Sequence, residues 1–309
     1  MKTSFIATVL NEENSVKEFL HSITIQSHRV DEIIIVDGGS TDNTFSLISN
    51  FQFPISKNAV RILVRKGNRS IGRNEAIKKA SNEIILCSDA GCVLDKDWVK
   101  NITKPFKNSK IDVVAGYYAG EGKTIFQKCL IPYVLIMPDR VNEFSFLPAT
   151  RSIAFKKSIW KKAGGFSEEF SNNEDYVFAK KLKKIKANIV FEKSALVYWK
   201  PRSNAVDAFA MFYRFAKGDS QSRIFRPKVL MLFFRYTIGL FLIWFCVTLR
   251  SIVVLNVICL LFLMYLFWAA TKNYKYVNNW RALYFLPEIQ LISDLAVLSG
   301  TIVGFFNKK

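Results

Sequence analysis

Between residues 3 and 87 the sequence alternates short apolar runs with stretches of helical periodicity, a pattern that leaves few folds open. Residues 3–9, 31–36 and 60–64 read as strands, and the run Ile84-Ile85-Leu86-Cys87 has the length of a strand buried on both faces. Between them, 11–26 carries Val16, Phe19, Leu20 and Ile23 at helical spacing, and 44–51 and 71–80 read as two further helices. Such repeats with right-handed crossovers predict an α/β fold: a mostly parallel, Rossmann-like sheet with helices on both faces. The carboxyl ends of its strands then share one rim, where ligands bind in open α/β sheets.

Residues 8–12, with Thr8, Leu10 and Glu12, run over the end of the first strand onto that rim, and Asp37 opens the loop Asp37-Gly38-Gly39-Ser40-Thr41-Asp42 after the second. Arg73 lies in the third helix, and Asp89 follows the Ile84 run. Together these suit a nucleotide. A carboxylate accepts the imino hydrogen of a pyrimidine, an Arg neutralises diphosphate, and Asp89 is of the type that ligates a hard divalent cation. Each also has a plainer reading as a turn or surface residue. Neither G-x-G-x-x-G nor G-x-x-x-x-G-K-[ST] occurs, which disfavours a dinucleotide fold and a P-loop kinase.

Beyond the Ile84 run, 112–118, 152–155, 187–191 and 196–199 read as strands. The turn Gly164-Gly165-Phe166 leads to Glu174-Asp175, which opens a helix with a basic outer face. A carboxylate there is favoured by the helix dipole, so Asp175 is either a cap or a general base that takes a proton from an acceptor hydroxyl. Residues 204–217 read as an aromatic-rich helix capped by Gly218. His21 and His28 read as surface residues, and Cys87 and Cys92, on either side of Asp89, as core packing.

The last quarter of the chain differs in kind. Residues 229–249 are nearly all apolar, interrupted by Arg235, residues 252–270 are apolar with one Asn256, and only Arg250-Ser251 separates the two runs. At about 1.5 Å per residue each reaches roughly 30 Å, the hydrocarbon thickness of a bilayer. Lys217, Arg223, Arg226 and Lys228 precede the first run, and Lys272, Lys275 and Arg281 follow the second. Both flanks are therefore expected in the cytoplasm. Residues 282–306 form a weaker apolar segment containing Pro287, Glu288 and Asp294, readable as a third span or as an interfacial helix. Lys308-Lys309 favour a cytoplasmic end. The domains expected are 1–220, cytoplasmic, and 221–309, in the membrane.

The N-terminus shows no signal peptide: the run before Asn11-Glu12-Glu13 is too short. Five cysteines without a CxxC pair suit a reducing compartment. The formal charge of +19 suits phosphorylated ligands or an anionic membrane face. No nucleic-acid module accompanies it, so a nucleic-acid partner is not expected.

Six pieces in order resemble family 2 of the inverting glycosyltransferases, with the GT-A fold. They are Ala7-Thr8-Val9-Leu10-Asn11-Glu12-Glu13, Val36-Asp37-Gly38-Gly39-Ser40-Thr41-Asp42, Gly72-Arg73-Asn74-Glu75-Ala76-Ile77, Ser88-Asp89-Ala90-Gly91, Gly164-Gly165-Phe166 and Glu174-Asp175. The resemblance covers roughly residues 2–220. It implies that Thr8, Leu10, Glu12, Asp37 and Arg73 line a nucleotide-sugar site for a UDP- or GDP-sugar. Gly164, Gly165 and Phe166 would border the acceptor, and Asp175, with Glu174 beside it, would be the base. Asp89 matches the first acid of the Asp-x-Asp motif that holds Mg2+ or Mn2+, but Gly91 stands where its second acid is expected, with Asp95 and Asp97 nearby. The Gln-x-x-Arg-Trp motif of processive synthases is missing, and Tyr213-Arg214 and Lys217 occupy the comparable region. One sugar per acceptor is therefore expected, the acceptor being a lipid-linked or glycan intermediate. A rival reading is a non-catalytic nucleotide-sugar binder or membrane scaffold, favoured by Gly91.

Overall fold

The computed structural model describes residues 1–143, 145–169, 172–224 and 226–307, so Lys308 and Lys309, read above as a cytoplasmic end, lie outside the described residues. The chain divides into two compact units, one of Met1–Gly120 with Ile136–Lys200, the other of Glu121–Leu135 with Pro201–Lys309.

In the first unit the expected alternation is present. Strand β1 (Thr3–Val9), helix α1 (Val16–Thr24), β2 (Glu32–Asp37), α2 (Thr44–Ser49), β3 (Val60–Val64), α3 (Arg69–Lys79) and β4 (Ile84–Cys87) follow in sequence. Then come β5 (Cys92–Leu94), α4 (Trp98–Thr103), β6 (Val113–Gly120), α5 (Ile125–Val134, part of the second unit), β7 (Ile153–Lys156), α6 (Lys157–Lys162), α7 (Glu174–Lys184) and β8 (Ile189–Trp199). The strands form one sheet in the order β3-β2-β1-β4-β7-β6-β8-β5. Among the described residues four pairings are parallel, β3–β2, β2–β1, β1–β4 and β6–β8, and three are antiparallel. The β1–β4 half is therefore the parallel sheet expected, and the far half is mixed.

Register aligns the rim. Val9 lies opposite Asp37 and Ile6 opposite Cys87, so the segments after β1, β2 and β4 leave the sheet on the same side. β1, β2 and β4 are buried along nearly their whole length, which is why they read as apolar runs, while the edge strand β3 is only half-buried. Phe155, Phe166 and Phe178 pack against one another at ring separations of 4.2–6.5 Å, while Trp98 meets Phe5 edge-on. Glycine at 72 seats α3 on the sheet, because a Cβ there would lie 2.7 Å from Thr8 Cγ2.

Some local expectations change. The first helix begins at Val16 rather than at 11 because Asn11 is left-handed (φ 54°) and residues 12–15 form a turn on the Glu12 carbonyl. The two strands expected at 187–191 and 196–199 are one strand, β8, whose register against β6 shifts between Gly116 and Tyr117. The irregular stretch hid its continuity. Pattern reading missed β5, α5 and α6. For α5 a signal was present, since Thr124 and Gln127 form a capping box.

The second unit is helical: α5, α8 (Ala205–Gln221), α9 (Pro227–Leu249), α10 (Ile252–Thr271) and α11 (Ala282–Phe306). Gly218 does not cap α8 as expected but lies buried within it. The reason is the neighbouring helix: a Cβ at Gly300 or Gly304 of α11 would come within 2.4 Å of the Tyr213 carbonyl and 2.6 Å of the Lys217 carbonyl. Small residues at this spacing let two helix backbones touch. Among the described residues, α9, α10 and α11 are long and apolar enough to cross a membrane. Large apolar side chains of α9 and α10, such as Met231 and Phe267, are 70% and 72% exposed, a surface suited to hydrocarbon rather than water. Asp294 of α11 is 4% exposed; it accepts from Arg235 at 2.6 Å, Tyr236 at 3.0 Å, Gln290 at 2.8 Å and Tyr265.

Candidate active site

Asp37 ends β2 with 1% of its surface exposed. Its Oδ1 accepts from the Gly39 and Ser40 amides, both at 2.7 Å, which curls the loop back over the strand end. Its Oδ2 is buried and has no hydrogen-bond partner. A buried carboxylate oxygen without a donor is costly, and a ligand N–H is the natural relief.

The loop after β1 is tied to the same place. The Asn11 amide donates to Ser40 Oγ at 3.0 Å, Asn11 Oδ1 accepts from the Thr41 amide at 2.8 Å, and the Glu12 amide donates to Thr44 Oγ1 at 2.7 Å. Thr8 is half-buried under Gly72, and Leu10 is 51% exposed. The Glu12 carboxylate accepts from the hydroxyl of Ser15. The structure thus brings Thr8, Leu10, Glu12 and Asp37 together on two interlocked loops.

Arg73 was read as a group for diphosphate. It lies instead inside the protein, 1% exposed, with Nη1 donating to Glu174 at 2.6 Å and Nη2 to Asp89 at 2.8 Å. Phe166 lies under its guanidinium at 5.6 Å. Both ends of its fork are engaged by carboxylates, so its observed role is to join the exit of β4 to the start of α7. Asp175 is the next residue, only partly buried. Burial, and after it the Glu174 carboxylate, raises the Asp175 carboxyl above its ordinary range, the direction that strengthens a base. Asp89 moves the other way: burial alone would raise it, but Arg73, Arg69 and Arg151 hold it low.

Arg151 was not singled out by pattern. It follows no strand and sits on no periodic face. The sheet places its guanidinium 5.5 Å from the Tyr118 ring and 5.7 Å from the Trp199 ring, within electrostatic reach of both Asp89 and Asp175. Cys87 and Cys92 are buried, as expected, and burial pushes the Cys87 thiol up to about 12.

The Gly164-Gly165-Phe166 turn needs its glycines, at φ +73° and +66°. Asn74 clamps it: the Phe166 amide donates to Asn74 Oδ1 at 3.0 Å and Asn74 Nδ2 donates to the Phe166 carbonyl at 2.9 Å. Phe166 itself is 2% exposed and packed on Phe155 and Phe178. Its ring is therefore core. A cavity of about 460 Å³ lies beside this turn, lined in part by Asn74, Lys78, Trp160 and Lys181; Asp89 and Asp175 are not on its wall. Tyr213, Arg214 and Lys217 belong to α8 in the second unit, where Arg214 Nε donates to the Ala210 carbonyl.

The model of the family described as glycosyl transferase family 2 matches residues 4–160, just over half of the 309 positions. The chain belongs to glycosyl transferase family 2. Its relatives include the poly-beta-1,6-N-acetyl-D-glucosamine synthase of Staphylococcus epidermidis, 31% identical over 203 residues, 63% of this chain and 49% of that protein. Another is the uncharacterized glycosyltransferase YfnE of Bacillus subtilis, 32% identical over 121 residues, 38% of this chain and 30% of that one. The chain thus spans about half the length of the synthase it matches. Two solved structures share the fold. The mannosyltransferase PcManGT from Pyrobaculum calidifontis, in complex with GDP-Man and Mn2+, superposes with a TM-score of 0.64 at 14% identity, over 94% of this chain and 86% of that one. TarS 1–349 of S. aureus with UDP-GlcNAc gives 0.51 at 19% identity, over 70% and 66%.

The PcManGT structure carries Mn2+, which raises the question of whether the residues here fit a divalent cation. One carboxylate suffices for such an ion when phosphates and water complete the shell. Here the candidate is Asp89, and one of its oxygens is paired to Arg73 with two more guanidiniums in reach. Position 91 offers no side chain, and Asp97 accepts from Ser27 at 2.6 Å. Among the described residues no three His, Cys, Asp or Glu groups converge as a metal site. With one oxygen on Arg73 and two more guanidiniums in reach, Asp89 is a weakened ligand for a dication.

Proposed function

We propose that this family 2 chain transfers a sugar from a UDP- or GDP-sugar to a lipid-linked or glycan acceptor, with inversion at the anomeric carbon. The observation that carries the reading is the pair of bonds from Arg73 to Asp89 and Glu174. They tie the acid after β4 to Glu174, the residue before Asp175. Asp37 Oδ2 takes the imino hydrogen of the base. Asp175 takes the proton of the acceptor hydroxyl as that oxygen attacks the anomeric carbon. The bond from that carbon to the diphosphate breaks on the opposite side, and the nucleoside diphosphate leaves.

The second unit supports a multi-pass membrane location, with α9 and α10 as spans, α11 as a third span or an interfacial helix, and the basic flanks of α9 and α10 in the cytoplasm. Such a location suits a lipid-linked acceptor. The test is release of UDP or GDP from a panel of nucleotide sugars by the detergent-solubilised chain, in wild type and in Asp175→Asn. Unchanged turnover in the variant removes Asp175 as base. Donor binding without turnover in the wild type supports the alternative, a non-catalytic nucleotide-sugar-binding membrane scaffold, for which Gly91 is the observation.

A further inference from the structure

Arg73 bonds Asp89 and Glu174, and Arg151 lies at the exit of β4, its carbonyl accepting from Ser88 Oγ at 2.8 Å, with Arg69 and Arg151 both within electrostatic reach of Asp89. Arg73 is consumed by its two bonds and is almost wholly buried. Arg69 opens α3 on its exposed side. Arg151 makes no ion pair with a carboxylate among the described residues and rests against the Tyr118 and Trp199 rings instead. Aromatic faces hold a guanidinium in place while leaving its N–H groups to donate elsewhere.

We propose that Arg151, aided by Arg69, supplies the positive charge that meets the donor diphosphate, in the place a divalent cation would take. This rests on the nucleotide-sugar reading above and deepens it. As the carbon–oxygen bond breaks, its electron pair passes to the leaving phosphate oxygen, and Arg151 balances the charge that gathers there. The acceptor proton has gone to Asp175, so the step needs no further reagent. A planar fork pairs two phosphate oxygens at once, which an aliphatic ammonium cannot do.

The test is titration calorimetry of the full chain in detergent with UMP, UDP, GMP and GDP, in EDTA and again in MnCl2. The wild type binds the diphosphates in EDTA and binds them more tightly than the monophosphates. Arg151→Gln removes most of that difference, a loss of about tenfold or more in diphosphate affinity, while monophosphate affinity and thermal midpoint stay as they were. Arg151→Lys restores part of it. Gly91→Asp, where an added Cβ meets nothing within 4 Å, makes diphosphate binding by the Arg151→Gln chain respond to Mn2+. Wild-type diphosphate binding that vanishes in EDTA, with Arg151→Gln indistinguishable from wild type in MnCl2, overturns the proposal. So does an Arg151→Gln chain that loses mono- and diphosphate affinity equally, since that marks Arg151 as a support for Tyr118 and Trp199. Failure of the wild type to bind any of the four nucleotides in either buffer overturns the nucleotide-sugar reading itself.

Discussion

Arg73 and Glu174 lie 101 positions apart in the chain and meet at 2.6 Å, both almost wholly buried. One guanidinium thereby holds two loops that the sheet alone would leave independent.

Removing that guanidinium strands two carboxylates. Arg73→Met is expected to cost about 3–5 kcal/mol, the range for breaking a buried ion pair by deleting one partner. Arg73→Met with Glu174→Gln should recover part of it. The measurement is chemical unfolding of the solubilised chain, followed by a first-unit tryptophan signal. A single variant as stable as wild type would show the pair to be idle.

Asp175 has a carboxyl raised by burial and by Glu174 above its ordinary 3.8. A group that binds its proton more tightly when folded opposes folding while ionised. That opposition is present at neutral pH and fades as pH falls through the raised value toward 3.8. Asp175→Asn is therefore expected to melt no lower than wild type at pH 7, while turnover falls by roughly 10²–10⁴-fold. In the wild type the acidic limb of the turnover profile should lie above the range of an ordinary aspartate, because the base works only when ionised. A limb near 3.8 would contradict this.

Asp37→Asn keeps the acceptor for the Gly39 and Ser40 amides but replaces the orphan Oδ2 with a donor. Two N–H groups then face each other where one hydrogen bond belonged. Affinity for UDP should fall by about 1.5–3 kcal/mol, the scale for a hydrogen bond to a charged group, with the fold intact. Calorimetry with UDP and circular dichroism on the same sample decide it.

In the second unit, Asp294→Ala leaves Arg235, Tyr236, Tyr265 and Gln290 without their shared acceptor. Resistance to unfolding in mixed micelles should drop by roughly 1–2 kcal/mol for each lost bond. Asp294→Leu with Arg235→Leu should restore much of it, because no unpaired charge then remains in the apolar layer.

Local pattern was enough for much of this. The β1–β4 half was legible because strands buried on both faces must be apolar throughout, and helices between them must show one apolar stripe. The three apolar helices were legible because a bilayer demands length and composition, both local properties. Asp37, Asp89, Glu174 and Asp175 could be picked out because each follows or opens a regular element. Arg151 could not, for it has no period and no element to mark it. Sequence placed Arg235 and Asp294 in apolar runs 59 residues apart but was silent on their pairing. It likewise placed Arg73 on the rim while leaving its two carboxylate partners unnamed. Only the packed sheet decides where a charge finds its counter-charge, because Coulomb energy depends on distance and burial, and neither is written in the order of residues.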